Sequence, residues 1–310
     1  MRFNPKARVD QSQVENRGRG RGGLGGGLGG GAMRLPIPSG SGGKAGLGTI
    51  VVIVLFIVLS MCTDNSLIPG AGNGDTTGTT GTSECRTGAD ANESEDCAID
   101  LITTSVQDYW NQVYEQQVGQ PYQDTVTVKF SGSTSSGCGA ASSAMGPFYC
   151  PNDQRVYLDT SFLDDMLEGQ LGARGGPFAL AYVIAHEYGH HVENLLGVLG
   201  KSRTQQGPRS DAVKIELMAD CLAGMWAKGA QQTTDAAGEP IIEELTQDDI
   251  NRAIDAAQAV GDDRIQRRSS GRVNPEAWTH GSAEQRVHWF NVGLKEGSLQ
   301  ACDTFMPGAV

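Results

Sequence analysis

His186-Glu187-Tyr188-Gly189-His190-His191 is the stretch that decides how this chain is read, because it spells HExxH. Residues four apart on an α-helix stand one above the other, so His186 and His190 can face one metal ion. Glu187 sits one position past the first imidazole, where a carboxylate reaches a water beside the metal without ligating and acts as a general base. The surroundings predict a buried helix: Pro177 follows a glycine pair at a first turn, Phe178 to Ala185 is apolar nearly all round, and Gly197 stands beyond the end.

A catalytic zinc usually takes three protein ligands and leaves one position open. Glu216-Leu217-Met218-Ala219-Asp220 offers the third about 25 residues downstream, enough for a loop and a returning helix on which Glu216 and Asp220 share a face. Glu216 is therefore expected as a metal ligand. Asp220 is expected to accept the free N–H of a zinc histidine, His186 above all, and so to fix its tautomer. His191 points about 100° away from His190 and reads as a supporting or packing residue. Glu193 reads as surface charge.

In chain order, MGPFYCP (145–151), AHEYGHHVENLLG (185–197), ELMADCLAGMW (216–226), AIDAAQAVGDDRIQ (253–266) and THGSAEQR (279–286) resemble the bacterial putative neutral zinc metallopeptidase family, a gluzincin-like group with HExxH followed by ExxxD. The resemblance runs from about Thr103 to Phe305. It implies one zinc ion on His186, His190 and Glu216, with Glu187 catalytic, and an α+β, mostly helical zincin-type domain with a small antiparallel sheet. His280 is the candidate for supporting the oxyanion, just before Ser282-Ala283-Glu284-Gln285, a capping box that opens a helix running to about Gly297. More distant gluzincins with a similar Thr-His segment place it near the active site. Arg286 reads as an internal ion-pair partner and His288 as packing.

Leu47 to Met61 is apolar apart from Thr49 and Ser60, and with its flanks is just long enough for a membrane helix. Eight Lys or Arg against Asp10 and Glu15 precede it, so the positive-inside rule puts the N-terminus in the cytoplasm and the domain outside. A basic stretch this long is too extended for a signal peptide, and Leu59-Ser60-Met61-Cys62 lacks the small residue expected before a lipid-modified cysteine. The expected divisions are a disordered, Gly-rich cytoplasmic tail (1–44), a transmembrane helix (45–62), a flexible linker (63–97) and the peptidase domain (98–310). Six cysteines beyond Cys62 suit an oxidising compartment. They allow 15 connectivities, among which Cys85/Cys97 and Cys138/Cys150 close short loops and leave Cys221 with Cys302.

Within the domain, helices are expected at Ile99–Glu115, Leu163–Glu168, Gln247–Val260 behind Thr246-x-x-Asp249, and beyond Ser282; strands at Thr125–Phe130, Cys138–Cys150 and Val156–Leu158. Gly137–Ala144 is the candidate edge strand for binding a peptide backbone. Without the eight basic and two acidic residues up to Ser60, 16 basic and 34 acidic residues are left, a net charge of −18 that repels nucleic acid. The expected partners are a peptide or protein substrate and the membrane. The composite expectation is a single-pass, membrane-anchored zinc endopeptidase; the alternative is a non-catalytic, zinc-binding envelope scaffold.

Overall fold

A computed structural model describes residues 1–19 and 84–310. Helix α1 (Gly88–Glu93) leads into α2 (Glu95–Val118), which begins a turn earlier than expected and stops where Gly119 adopts a left-handed conformation. The extra turn starts behind Ser94, with Glu95 and Asp96 favourably placed at its positive end. Most of α2 is buried, from Cys97 to Tyr114.

The principal sheet contains β2 (Val14–Arg19), β3 (Val126–Ser131), β6 (Phe148–Cys150) and β7 (Arg155–Asp159), in the spatial order β2-β3-β7-β6. The expected small antiparallel sheet is thereby corrected: β2 pairs β3 and β3 pairs β7 in parallel, and only β6 at the edge runs antiparallel. Alternating side chains reveal a strand but not its partner, and β3 reaches β7 only after a crossover. That crossover contains β4 (Ser133–Ser136) and β5 (Gly139–Ser142), which pair with each other. Gly137–Ala144 is consequently the tip and return arm of a hairpin.

Strand β2 also changes the division of the chain. Residues 1–19, expected within a disordered tail, form β1 (Arg2–Phe3) and β2, and bury Phe3, Ala7 and Gln13. The glycine run biases a composition average over 1–44, yet the segment before it carries apolar anchors and charges that find partners. Glu15 pairs with Arg17 and with Arg155 of β7. Cys85 and α1 likewise give structure to the end of the expected linker. The expected span at 45–62 lies outside the described residues; among the described residues no helix is long and apolar enough to cross a membrane.

Two long helices carry the motifs. Helix α3 (Pro177–Leu195) starts on Pro177 at its first turn, and α4 (Asp211–Gly229) is capped by Ser210, whose hydroxyl accepts from the Val213 N–H. They cross closely at Gly189, inside HExxH, where a Cβ would sit 2.9 Å from the Ala219 Cα. After β8 (Ile242–Glu244), which pairs β1, come α5 (Gln247–Ala259), α6 (Asp262–Ser270) and α7 (Ala283–Glu296). Both expected capping boxes form, Thr246 with Asp249 and Ser282 with Gln285. Gly224 and Gly293 let α4 and α7 touch backbone to backbone, since a side-chain carbon on either would collide with the other helix.

Three disulfides, Cys85–Cys97, Cys138–Cys150 and Cys221–Cys302, match the pairing favoured by loop length. The last ties α4 to the segment after α7.

Candidate active site

The crossing of α3 and α4 brings one nitrogen from each of two imidazoles to a carboxylate. His186 Nε2 lies 3.3 Å from Glu216 Oε2, and His190 Nε2 lies 3.7 Å from Glu216 Oε1. Two ligand atoms each about 2.0–2.1 Å from a tetrahedral ion stand roughly 3.4 Å apart, so these separations suit an ion between them. Donor atoms of His186, His190 and Glu216 all fall within 4.8 Å of one another, and among the described residues this is the one such group of three or more His, Cys, Asp or Glu. Two imidazoles and a carboxylate are a zinc donor set.

What turns the nitrogens inward is visible on their far sides. His186 Nδ1 lies 2.9 Å from Asp220 Oδ1 and His190 Nδ1 lies 2.7 Å from Glu193 Oε2. A carboxylate accepts, so each Nδ1 carries a hydrogen and Nε2 is the nitrogen turned toward a metal. Asp220 is where it was expected. Glu193 is a correction: it is fully buried, not surface charge, because three residues along a helix return it to the face of His190. The i,i+3 spacing was the signal available in the sequence.

Asp220 is fully buried and bound on every side. The Tyr182 hydroxyl donates to Oδ1 at 2.6 Å, Arg286 Nε to Oδ2 at 2.8 Å, and Arg286 Nη2 to Oδ1 at 2.9 Å. Burial alone pushes the Asp220 carboxyl up, but the Arg286 and His186 charges outweigh it and hold the group below its usual range. Removing one partner of such a buried pair costs about 3–5 kcal/mol, because the other charge is left uncompensated. Arg286 is thus the internal ion-pair partner that its place in the sequence implied.

Glu187 is also buried. Burial drives its carboxyl above the ordinary value, opposed by the His186 and His190 rings and by the backbone N–H of Tyr149 on β6. A carboxyl raised in this way takes up a proton more readily than a free one. His280 reaches the same cavity, of about 730 Å³, which Glu187 and the three donor residues also line. Its Nδ1 lies 2.9 Å from Thr279 Oγ1 and 3.3 Å from Asp262 Oδ1, while Asp262 Oδ2 accepts the backbone N–H groups of Thr279, His280 and Gly281. Asp262 opens α6 and clamps the His280 turn. Nothing local in GDDRIQ shows that this acid faces a histidine 18 residues on.

Two other histidines are accounted for. His191 is fully buried, with Nδ1 3.0 Å from the Tyr149 hydroxyl and Nε2 2.7 Å from the Gln123 carbonyl, so it supports β6 from behind. His288, expected to pack, is exposed beside Trp289. The strand along the cleft is β6, whose Phe148 and Tyr149 line the cavity, rather than Gly137–Ala144.

Comparison with known proteins agrees with this geometry. The chain belongs to the family described as "Putative neutral zinc metallopeptidase", whose model matches residues 1–305. The match includes the N-terminal segment, beyond the Thr103–Phe305 stretch that carries the motif strings. The chain is 49% identical over 225 residues to the uncharacterized protein Rv2575 of Mycobacterium tuberculosis, covering 72% of this chain and 75% of that one. It is 45% identical over 211 residues to the uncharacterized protein YpfJ of Escherichia coli (strain K12), covering 66% and 69%. No solved structure matches.

Two outcomes follow from the hydrogen bonds behind the donors. Glu193→Ala is expected to weaken zinc binding about 10- to 100-fold, measured by competition with a chelator, while Glu193→Gln retains more of the affinity; unchanged affinity in both variants would refute the assigned contact. In the metal-free chain burial pushes the His186 pKa down, but Asp220 and Glu216 outweigh it and raise it to about 10. His186 then holds a proton at pH 7 that a metal must displace, so apparent zinc affinity rises with pH below about 10. Calorimetry in buffers of different ionisation enthalpy should show about one proton released at pH 7, and none if His186 starts neutral.

Proposed function

We propose that this chain is a zinc-dependent endopeptidase in which His186, His190 and Glu216 hold one zinc ion, Glu187 is the general base and acid, and His280 supports the oxyanion. The observation that carries the reading is Glu187: a buried carboxylate lining the cavity with the three donors, and not one of them. A bound zinc supplies Lewis-acid charge that acidifies water and polarises a carbonyl. Glu187 takes the attacking water's proton on a carboxylate oxygen and returns it to the departing amine nitrogen. His280, oriented by Thr279 and Asp262, donates toward the oxygen that becomes negative. The backbone N–H of Tyr149 favours the ionised form of Glu187, and β6, the last strand in the order β2-β3-β7-β6, offers an extended peptide an edge to pair with.

The scaffold alternative asks only for a metal and a fold. It has no use for Glu187, since a structural site gains nothing from a buried acid that binds no metal, and burying one is costly. Glu187→Gln separates the readings: cleavage of denatured protein substrates should fall by at least about 10³-fold with zinc still bound. Zinc binding without turnover in the wild-type chain would favour the scaffold.

The proposal places the domain in an oxidising, extracytoplasmic compartment, supported by its three disulfides, and attached to the membrane through the apolar stretch at 47–61. Because β2 lies beside β3, residues 1–19 are assigned to the domain's side of the membrane, in place of a cytoplasmic N-terminus. Lys6→Cys and Gln300→Cys, both at exposed positions, should react equally with a membrane-impermeant maleimide on intact cells in a Cys62→Ser background. Labelling at position 300 alone would restore the single crossing.

A further inference from the structure

The outer side of α6 carries charge that the fold leaves uncompensated. Arg264, Arg267 and Arg268 stand at i, i+3 and i+4 on one helical face, all exposed, while Asp262 and Ile265 turn away from it to line the cavity. Gly271 ends the helix in a left-handed conformation, and the Asn274 N–H donates back to Gln266 Oε1 at 2.7 Å, which leaves Arg272 and Val273 exposed in the turn between. Val273 is 37% exposed, and Met306 is the one other large apolar side chain so exposed among the described residues. No Asp or Glu occurs between Arg264 and Pro275.

Among the described residues none of these four arginines is in an ion pair, whereas Arg17, Arg155, Arg174, Arg252 and Arg286 each meet a carboxylate. Arg264 donates to Gln258 Oε1 at 3.1 Å and Arg268 to the Gln170 carbonyl at 2.7 Å, neutral acceptors that orient a guanidinium without cancelling its charge. Of the two acids bordering the groove beside Arg264 and Arg267, Asp263 accepts the Ala283 N–H and Glu284 brings a single opposing charge. A helix favours cations at its last turn, where Arg267 and Arg268 stand, but opposes one at its first, where Arg264 stands, so the stripe is not explained by the helix that bears it. Apart from these four, the chain beyond Ser60 has 12 basic against 34 acidic residues, so a negative surface repels the body at large and attracts it here.

We propose that this face of α6, with Arg272 and Val273, docks on a membrane that carries anionic lipid headgroups. The occupant rests on the reading that the apolar stretch at 47–61 holds the chain to a membrane: a tether keeps the body beside a bilayer, and guanidinium groups flanking one apolar tip match a charged surface over a hydrocarbon interior. Each arginine brought to such a surface strengthens docking about fivefold. The cleft wall formed by Asp262 and Ile265 then stands one helix, about 10 Å, from the headgroups, so the site meets substrate segments held near the bilayer.

The test uses the full chain with Cys62→Ser and Val273→Cys, labelled at position 273 with a polarity-sensitive nitrobenzoxadiazole dye and mixed with vesicles of phosphatidylcholine, either alone or with one third phosphatidylglycerol. The dye should brighten and shift to the blue on the phosphatidylglycerol vesicles only, and darken again at about 1 M salt, where charges are screened. Arg264→Gln/Arg267→Gln/Arg268→Gln should lower the docked-to-free ratio about 100-fold, whereas Arg264→Lys/Arg267→Lys/Arg268→Lys keeps most of it. A dye that stays dark on anionic vesicles, responds equally to both lipids, or still responds in the glutamine variant overturns the proposal. So does a response to soluble polyglutamate without one to vesicles, which would mark an acidic protein as the partner. Flotation on phosphatidylcholine vesicles reads the apolar stretch separately. A chain that floats there, with its dye dark on anionic vesicles, keeps its anchor and loses the docking face; one that floats only on anionic vesicles, with the dye bright, does the reverse.

Discussion

The site depends on one buried carboxylate. Asp220 receives Tyr182 and His186 from α3 and Arg286 from α7, and itself stands on α4. It therefore sets the tautomer of one donor histidine and joins the three helices at the point where the donors meet. Its desolvation is repaid by a guanidinium bound through two nitrogens, an arrangement whose planar geometry leaves little freedom in how α7 docks. Arg286 in turn is held by α7, whose closeness to α4 depends on Gly224 and Gly293. Packing and electrostatics thus specify the same relative placement of helices, which is the agreement between levels that marks a well-defined fold.

Much of the site was legible in the sequence because a helix converts spacing into direction. HExxH and ExxxD each fix two residues on one face, and the boundaries around them were marked by Pro177, Ser282 and Thr246 in the roles their chemistry predicts. Disulfide pairing followed from loop closure. What escaped were contacts between segments. Asp262 meets His280 through a turn that no local pattern announces, and the role of Tyr149 requires β6 to lie against α3. Glu193 is the instructive exception: its spacing from His190 was on view, but a glutamate late in a helix is ordinarily solvated, and burial is a tertiary fact.

The N-terminal segment teaches a similar lesson. Glycine content and basic charge describe residues 16–48 on average, whereas strand formation by Val14–Arg19 depends on the neighbouring β3 edge. Parallel pairing across more than a hundred residues of sequence leaves no short-range trace. The family match over residues 1–305 is consistent with a segment that belongs to the folded body.

Gly189 has a consequence of its own. The two helices that supply the donors approach as closely as their main chains permit, with the hydrogen of this glycine pointed at Ala219. Any larger residue would wedge the helices apart and carry Glu216 away from both imidazoles, though the position contributes no reactive atom. Within the HExxH pattern the second x is nominally free, yet here a side-chain carbon would meet the main chain of the neighbouring helix, so steric room alone favours glycine.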